Sequence, residues 1–179
     1  MKHFLKLTLA AALLLACNSN AFAQKFGYIK SEELVTMMPE HAEAQKQFSE
    51  FQAELISQLD NIRVEFNTKA EELQANEATY SEAMKQAKNR ELSEIEQRYM
   101  QRQESISSEL DQMQNTLMAP IIDKALKAID DVGKAEGFTF IFDRDNMLYV
   151  NTSTVIDIMP IVKQKLGIAA DATPPTAAR

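Results

Sequence analysis

The sequence predicts an α+β chain, predominantly α, in which a long antiparallel helical hairpin stands on a small β-containing body. Three observations carry that prediction. No glycine or proline interrupts the 80 residues between Pro39 and Pro120, a stretch rich in Glu, Gln, Ala, Lys and Leu and strongly helical by propensity. Apolar residues recur there at intervals of three and four, in two runs separated by a polar gap. Strand patterns occur only outside that stretch, near the two ends.

The N-terminal segment stands apart from the fold. Lys2, His3 and Lys6 flank an apolar run from Leu7 to Ala16, and Ala21-Phe22-Ala23 offers a small-x-small site before Gln24. Residues 1–23 therefore read as a secretory signal peptide, too short and wrongly flanked to span a membrane. Leu14-Leu15-Ala16-Cys17 also approaches a bacterial lipobox, so lipidation at Cys17 is the competing reading. Both export the chain. Without residues 1–23 the chain has no cysteine and hence no disulfide, even in an oxidising compartment. That cleavage removes Lys2 and Lys6 but no acidic residue, moving the net charge from −7 to −9. Such an acidic chain is a poor partner for nucleic acid or an anionic membrane surface. No later segment is apolar for long enough to insert stably in a bilayer.

After this segment KFGYIK (residues 25–30) is a short strand candidate. Ser31 is placed to cap a short helix that opens with Glu32 and Glu33. Pro39 suits the first turn of the next helix. One apolar seam then runs through Phe48, Phe51, Leu55, Leu59, Ile62, Phe66, Ala70 and Leu73. A second runs through Leu92, Ile95, Tyr99, Ile106, Leu110, Met113 and Leu117. This is coiled-coil spacing. Residues 74–82 have no apolar face, and Thr79 with Glu82 matches a capping box. A tip near residues 76–81 folds the two seams together into arms of about 37 residues, each about 55 Å long. One continuous rod of about 120 Å is the alternative.

Pro120 falls inside the helical pattern and predicts a kink in the returning arm, which continues to a C-cap at Gly137. FTFIFDRDNMLYVN (residues 138–151) then reads as a two-stranded hairpin, turning at Asp143-Arg144-Asp145-Asn146. Asp157 can cap a last helix that stops at Gly167, and residues 169–179 read as a disordered tail. The body thus comprises residues 24–39 and 119–168, and the arm residues 40–118. Three short strands in one thin chain are too few to cover their own apolar faces. Association of several chains through the β elements is expected, with Tyr28, Phe138, Phe140, Ile141, Phe142, Leu148, Tyr149 and Val150 as interface candidates.

Catalytic chemistry finds no foothold. His41 is the only histidine beyond residue 23, no Cys/His set has metal-ligand spacing, and no nucleophile–base pair or phosphate-binding glycine loop occurs. Asp143 and Asp145 read as turn residues rather than calcium ligands. No catalytic, cofactor or metal residue is expected, and the enzyme class is set aside.

The ends of the chain carry a resemblance. KFGYIKSEEL with Met38-Pro39-Glu40 and Ala44, the Gln/Glu-rich hairpin, and GFTFIFDRDNMLYVNTSTVIDIMPIVKQKLGI together resemble the Skp/OmpH family of periplasmic chaperones. The resemblance implies a homotrimer, in which a small β-barrel body carries three helical hairpins around a cavity. It further implies an ATP-independent holdase whose partners are unfolded outer-membrane β-barrel proteins. The best-known members are strongly basic and this chain is acidic, so no lipopolysaccharide site is carried over. On the arms Phe66, Met113 and Leu117 are expected in the seam. Tyr80, Met84 and Met100, nearer the tip and less regular, are the client-contact candidates, since flexible thioethers suit promiscuous surfaces. A coiled-coil spacer or lipid-anchored tether is the competing function.

Overall fold

The computed structural model describes residues 24–174. The signal-peptide and Cys17 readings, and the tail beyond residue 174, lie outside the described residues. Strand β1 (Phe26–Ile29) leads into helix α1 (Ser31–Met37), followed by α2 (Pro39–Asn76) and α3 (Glu82–Glu136). Strand β2 (Phe140–Asp143), a 3-10 turn (Arg144–Asn146), strand β3 (Ile156–Asp157) and helix α4 (Met159–Leu166) complete the chain.

The two long helices, of 38 and 55 residues, pack antiparallel along the arm. Pro39 occupies the first turn of α2, where its missing N–H is no loss. Residues 77–81 form the tip between the two helices. The cap there is Ser81 rather than Thr79: its Oγ accepts from the Met84 N–H at 3.3 Å, and α3 starts at Glu82. The Thr79 hydroxyl instead donates back to the Asn76 carbonyl, closing the end of α2. Helix α3 runs on through Pro120 and stops at Gly137, whose φ of 70° is a left-handed cap geometry that glycine adopts without strain.

The body corrects the predicted hairpin. Met147 to Val150 form no strand, and β1 lies between β2 and β3 in the order β2-β1-β3, parallel to both. Each parallel pairing joins segments far apart in sequence; Phe26 faces Phe140 and Gly27 faces both Ile141 and Ile156. Ser31 does not cap α1 either. Its hydroxyl donates to Asp143 Oδ2, while Asp143 Oδ1 accepts from the Asp145 N–H at 3.1 Å. One carboxylate therefore closes the turn after β2 and ties it to the start of α1. Asp157 accepts from the Met159 N–H at 2.9 Å, just inside the start of α4.

The core lies between the sheet and the inner end of the arm. Ile29, Leu34 and Met38 meet Ile121, Ala125, Ala128 and Val132 of α3, and Ile158 and Val162 close it from the C-terminal side. The two alanines let the short elements approach α3 closely, and each fully buried large side chain is worth about 1.5–3 kcal/mol. Residues after α4 begin with an anchored turn: Lys163 is 6% exposed, and its ammonium donates to the Ala170 and Ala172 carbonyls at 2.8 and 2.7 Å.

Candidate functional site

Two surfaces stand out, one on the sheet and one on the arm. Strand alternation puts Gly27, Ile29 and Ile141 toward the core and Phe26, Tyr28, Phe140 and Phe142 on the other face. There Phe26, Phe140 and Phe142 form a cluster with ring centroids 6.1–6.2 Å apart. Among the described residues nothing covers this face fully: Phe140 remains 56% exposed, and Leu148 and Tyr149 in the following loop are 106% and 78% exposed. Phe138 and Ile141, also interface candidates, instead pack against the chain's own core, and Val150 is half-buried.

The arm has two unlike sides. On one, polar contacts cross between α2 and α3 from base to tip. Lys124 meets Glu40, Arg102 donates to Gln58 at 2.8 Å, and Arg98 pairs with Glu65 at 2.5 Å. Nearer the tip Lys69 pairs with Glu91 at 2.7 Å and Lys88 with Glu72 at 3.0 Å. These contacts hold Glu40, Glu72 and Glu91 below the usual carboxylate range, chiefly through the hydrogen bonds from Lys124, Lys88 and Lys69 respectively. Lys88 is raised for the same reason, its bond to Glu72. Arg102 sits where the seam should be apolar and also pairs with Glu109, so the apolar spacing lapses between Tyr99 and Ile106.

On the other side lie two apolar clefts. A mid-arm cleft of about 300 Å³ is walled by Ile62, Phe66, Ile95 and Tyr99, with Arg63 and Glu96 at its rim. Arg63 and Glu65 are two residues apart on a helix, as are Glu96 and Arg98, so each pair points to opposite sides. A basal cleft of about 390 Å³ is walled by His41, Ala44, Phe48, Leu117 and Met118, with Gln45 and Gln114 at its rim. A third cleft, of about 360 Å³, opens on the ion-paired side and is rimmed by Glu40, Glu43 and Lys124.

The predicted contact residues scatter over these surfaces. Met100 is 58% exposed and stands one helical turn from Glu96, beside the mid-arm cleft. Met84 is exposed at the tip. Tyr80 is half-buried, and its hydroxyl donates to Glu72 at 3.1 Å, which makes it part of the tip network. Phe66 and Leu117 are half-buried in the seam and line clefts as well, and Met113 is half-buried. Ile56 and Val64, which fall outside the apolar seam, are exposed, as are Ile122 and Leu126 on the inner part of α3. Among the described residues no group of His, Cys, Asp and Glu side chains could hold a metal ion, and no helix is long and apolar enough to cross a membrane.

A family model described as outer membrane protein (OmpH-like) matches residues 25–166, a span that takes in every strand and helix described above. The chain belongs to the OmpH-like family. The strand–helix–Pro-Glu opening and the closing segment thus carried a real signal. The OmpH-like fold is shared with a crystal structure from Caulobacter crescentus CB15, an OmpH-like protein assigned as an outer membrane chaperone. The two superpose with a TM-score of 0.71 over 87% of this chain and 94% of that one, at 12% sequence identity. At that identity the likeness is one of fold. No curated protein matches the chain.

Proposed function

We propose that this OmpH-like protein is an ATP-independent holdase chaperone of the periplasm. In this reading it is exported by a cleaved signal peptide and assembles as a homotrimer through its β elements. Three arms then enclose unfolded outer-membrane β-barrel proteins and keep them from aggregating. The observation that carries the reading is the arm itself: a two-helix projection standing off the body, with open apolar clefts along one side. A two-helix arm leaves such clefts unfilled, and many weak apolar contacts suit a client without fixed structure. The uncovered aromatic face of the sheet supports association, and so do β2 and β3, which among the described residues have no strand on their outer edges.

Native mass measurement, with and without an unfolded outer-membrane protein, tests the reading. A trimer that takes up unfolded but not folded client is the expected result. Deleting residues 63–98 removes matched lengths of both arms and should leave the trimer while sharply reducing its holdase capacity. Full activity in the shortened protein would refute enclosure by the arms. The lipobox-like Leu14-Leu15-Ala16-Cys17 favours a tether as the second reading. A diacylated Cys17 in protein from its native envelope, with no client binding, would establish it.

A further inference from the structure

The two clefts on the neutral side of the arm are spaced as an extended polypeptide would need. On α2 the basal cleft is walled by Ala44 and Phe48, the mid-arm cleft by Ile62 and Phe66. The pairs are offset by five whole helical turns, so they share one face and lie about 27 Å apart. An extended chain covers that distance in about eight residues. Eight is even, and strand side chains alternate, so residues i and i+8 face the same way and can enter both clefts together.

The ground between the clefts fits such a segment. Gln52 and Leu59 follow Gln45 at heptad spacing on α2, and Gln103 and Leu110 precede Leu117 at the same spacing on α3. Leu59 and Leu110 are half-buried and offer an apolar floor, while Gln52 and Gln103 are exposed. The amides of Gln47, Gln58 and Gln112 are engaged within the chain, whereas among the described residues those of Gln45 and Gln114 are not. A primary amide both donates and accepts, as does a peptide group that has no strand neighbour. The charged cross-helix pairs are all on the opposite side. The charges at the rim of the mid-arm cleft, Arg63 and Glu96, are of opposite sign, so the cleft rims carry little net charge to attract a charged partner.

We propose that this face is a docking strip for one extended segment of about nine residues, apolar at alternate positions, whose two ends fill the two clefts. The proposal rests on the chaperone reading and sharpens it: a transmembrane β-strand has about 9–11 residues and alternates in this way. An amphipathic helix long enough to reach both clefts needs about 18 residues, and its peptide groups are already paired along its own axis, which leaves none for the glutamine amides.

Two measurements on the full chain test this. An eleven-residue peptide, apolar at every odd position, is compared by fluorescence anisotropy with a permuted peptide of equal composition. In the permuted peptide one residue moved to the middle puts its two halves on opposite faces. The alternating peptide should bind about tenfold more tightly, the loss expected when one large side chain leaves its cleft. Equal affinity, or equal competition by a helical peptide, overturns the proposal. Photo-crosslinking benzoylphenylalanine is also placed at Gln52 or Gln103 on the strip, and at Asn61 or Gln101 on the ion-paired side. An unfolded outer-membrane protein should crosslink several-fold more to the first pair. Equal yields overturn the strip but leave the chaperone reading standing. No capture of client by the unmodified chain overturns both.

Discussion

Gly27 is the position where a single methyl group tests the body of the protein. It is buried in the central strand, between Ile141 on β2 and Ile156 on β3. A Cβ there would lie 2.9 Å from Cε1 and 3.1 Å from Cδ1 of Phe138, and 3.0 Å from Cγ2 of Ile158. Carbon atoms in ordinary contact are about 3.5–4.0 Å apart, so Gly27→Ala overlaps two side chains at once. Neither yields easily. Ile158 is fully buried, and the Phe138 ring packs against the core with the Lys25 ammonium 4.2 Å from its centroid. Overpacking of this kind costs about 1–3 kcal/mol. Replacing a strand glycine recovers about 0.5–1 kcal/mol of chain entropy. Overlap with two side chains at once puts the cost in the upper half of the overpacking range. The net loss of about 1–2.5 kcal/mol lowers the melting temperature of a chain this size by about 2–10 °C. Calorimetry on both proteins at equal concentration measures it, since association makes the midpoint concentration-dependent. An unchanged or raised midpoint would refute the packing of Phe138 and Ile158 over the central strand.

Three further outcomes are expected. Phe140→Asp should leave the single chain folded, because the ring is more than half exposed, yet abolish the oligomer in sedimentation analysis if the aromatic face is shared. Lowered Glu40, Glu72 and Glu91 and raised Lys88 mean that the cross-helix pairs contribute fully from above the ordinary carboxylate value of 4.5 to below the lysine value of 10.5. That contribution is lost as pH falls through the depressed carboxylate values. Amide exchange near the tip, corrected for intrinsic rate, should therefore rise at pH 3.5 relative to pH 7, by a modest amount because the pairs are exposed. Lys163→Met removes two charge-assisted bonds to the Ala170 and Ala172 carbonyls. Limited proteolysis after residue 168 should become about tenfold faster while α4 stays folded.

The helical hairpin was legible because its determinants are local. Absence of Gly and Pro, a three-four apolar spacing and a polar lapse define two helices and a tip without reference to anything distant. Gly137 and Gly167 mark helix ends for the same reason. The cap at Ser81 was missed because Thr79 and Ser81 both satisfy capping chemistry, and only the turn's path decides between them. Strand pairing is different in kind. Alternation in FTFIF tells which side chains share a face, but it does not say which strand lies alongside. Residues 147–150 are apolar enough for a strand, yet β1 takes Ile156–Asp157 as its second neighbour and leaves Leu148 and Tyr149 exposed. The two-sided arm is likewise a tertiary result. Seam spacing placed Phe66 and Tyr99 between helices, but which charges cross on one side, and which clefts stay open on the other, depends on the register of α2 against α3. Local periodicity determined the helices of this protein, and only the meeting of distant segments decided which residues became its third strand, the order of its sheet and the two faces of its arm.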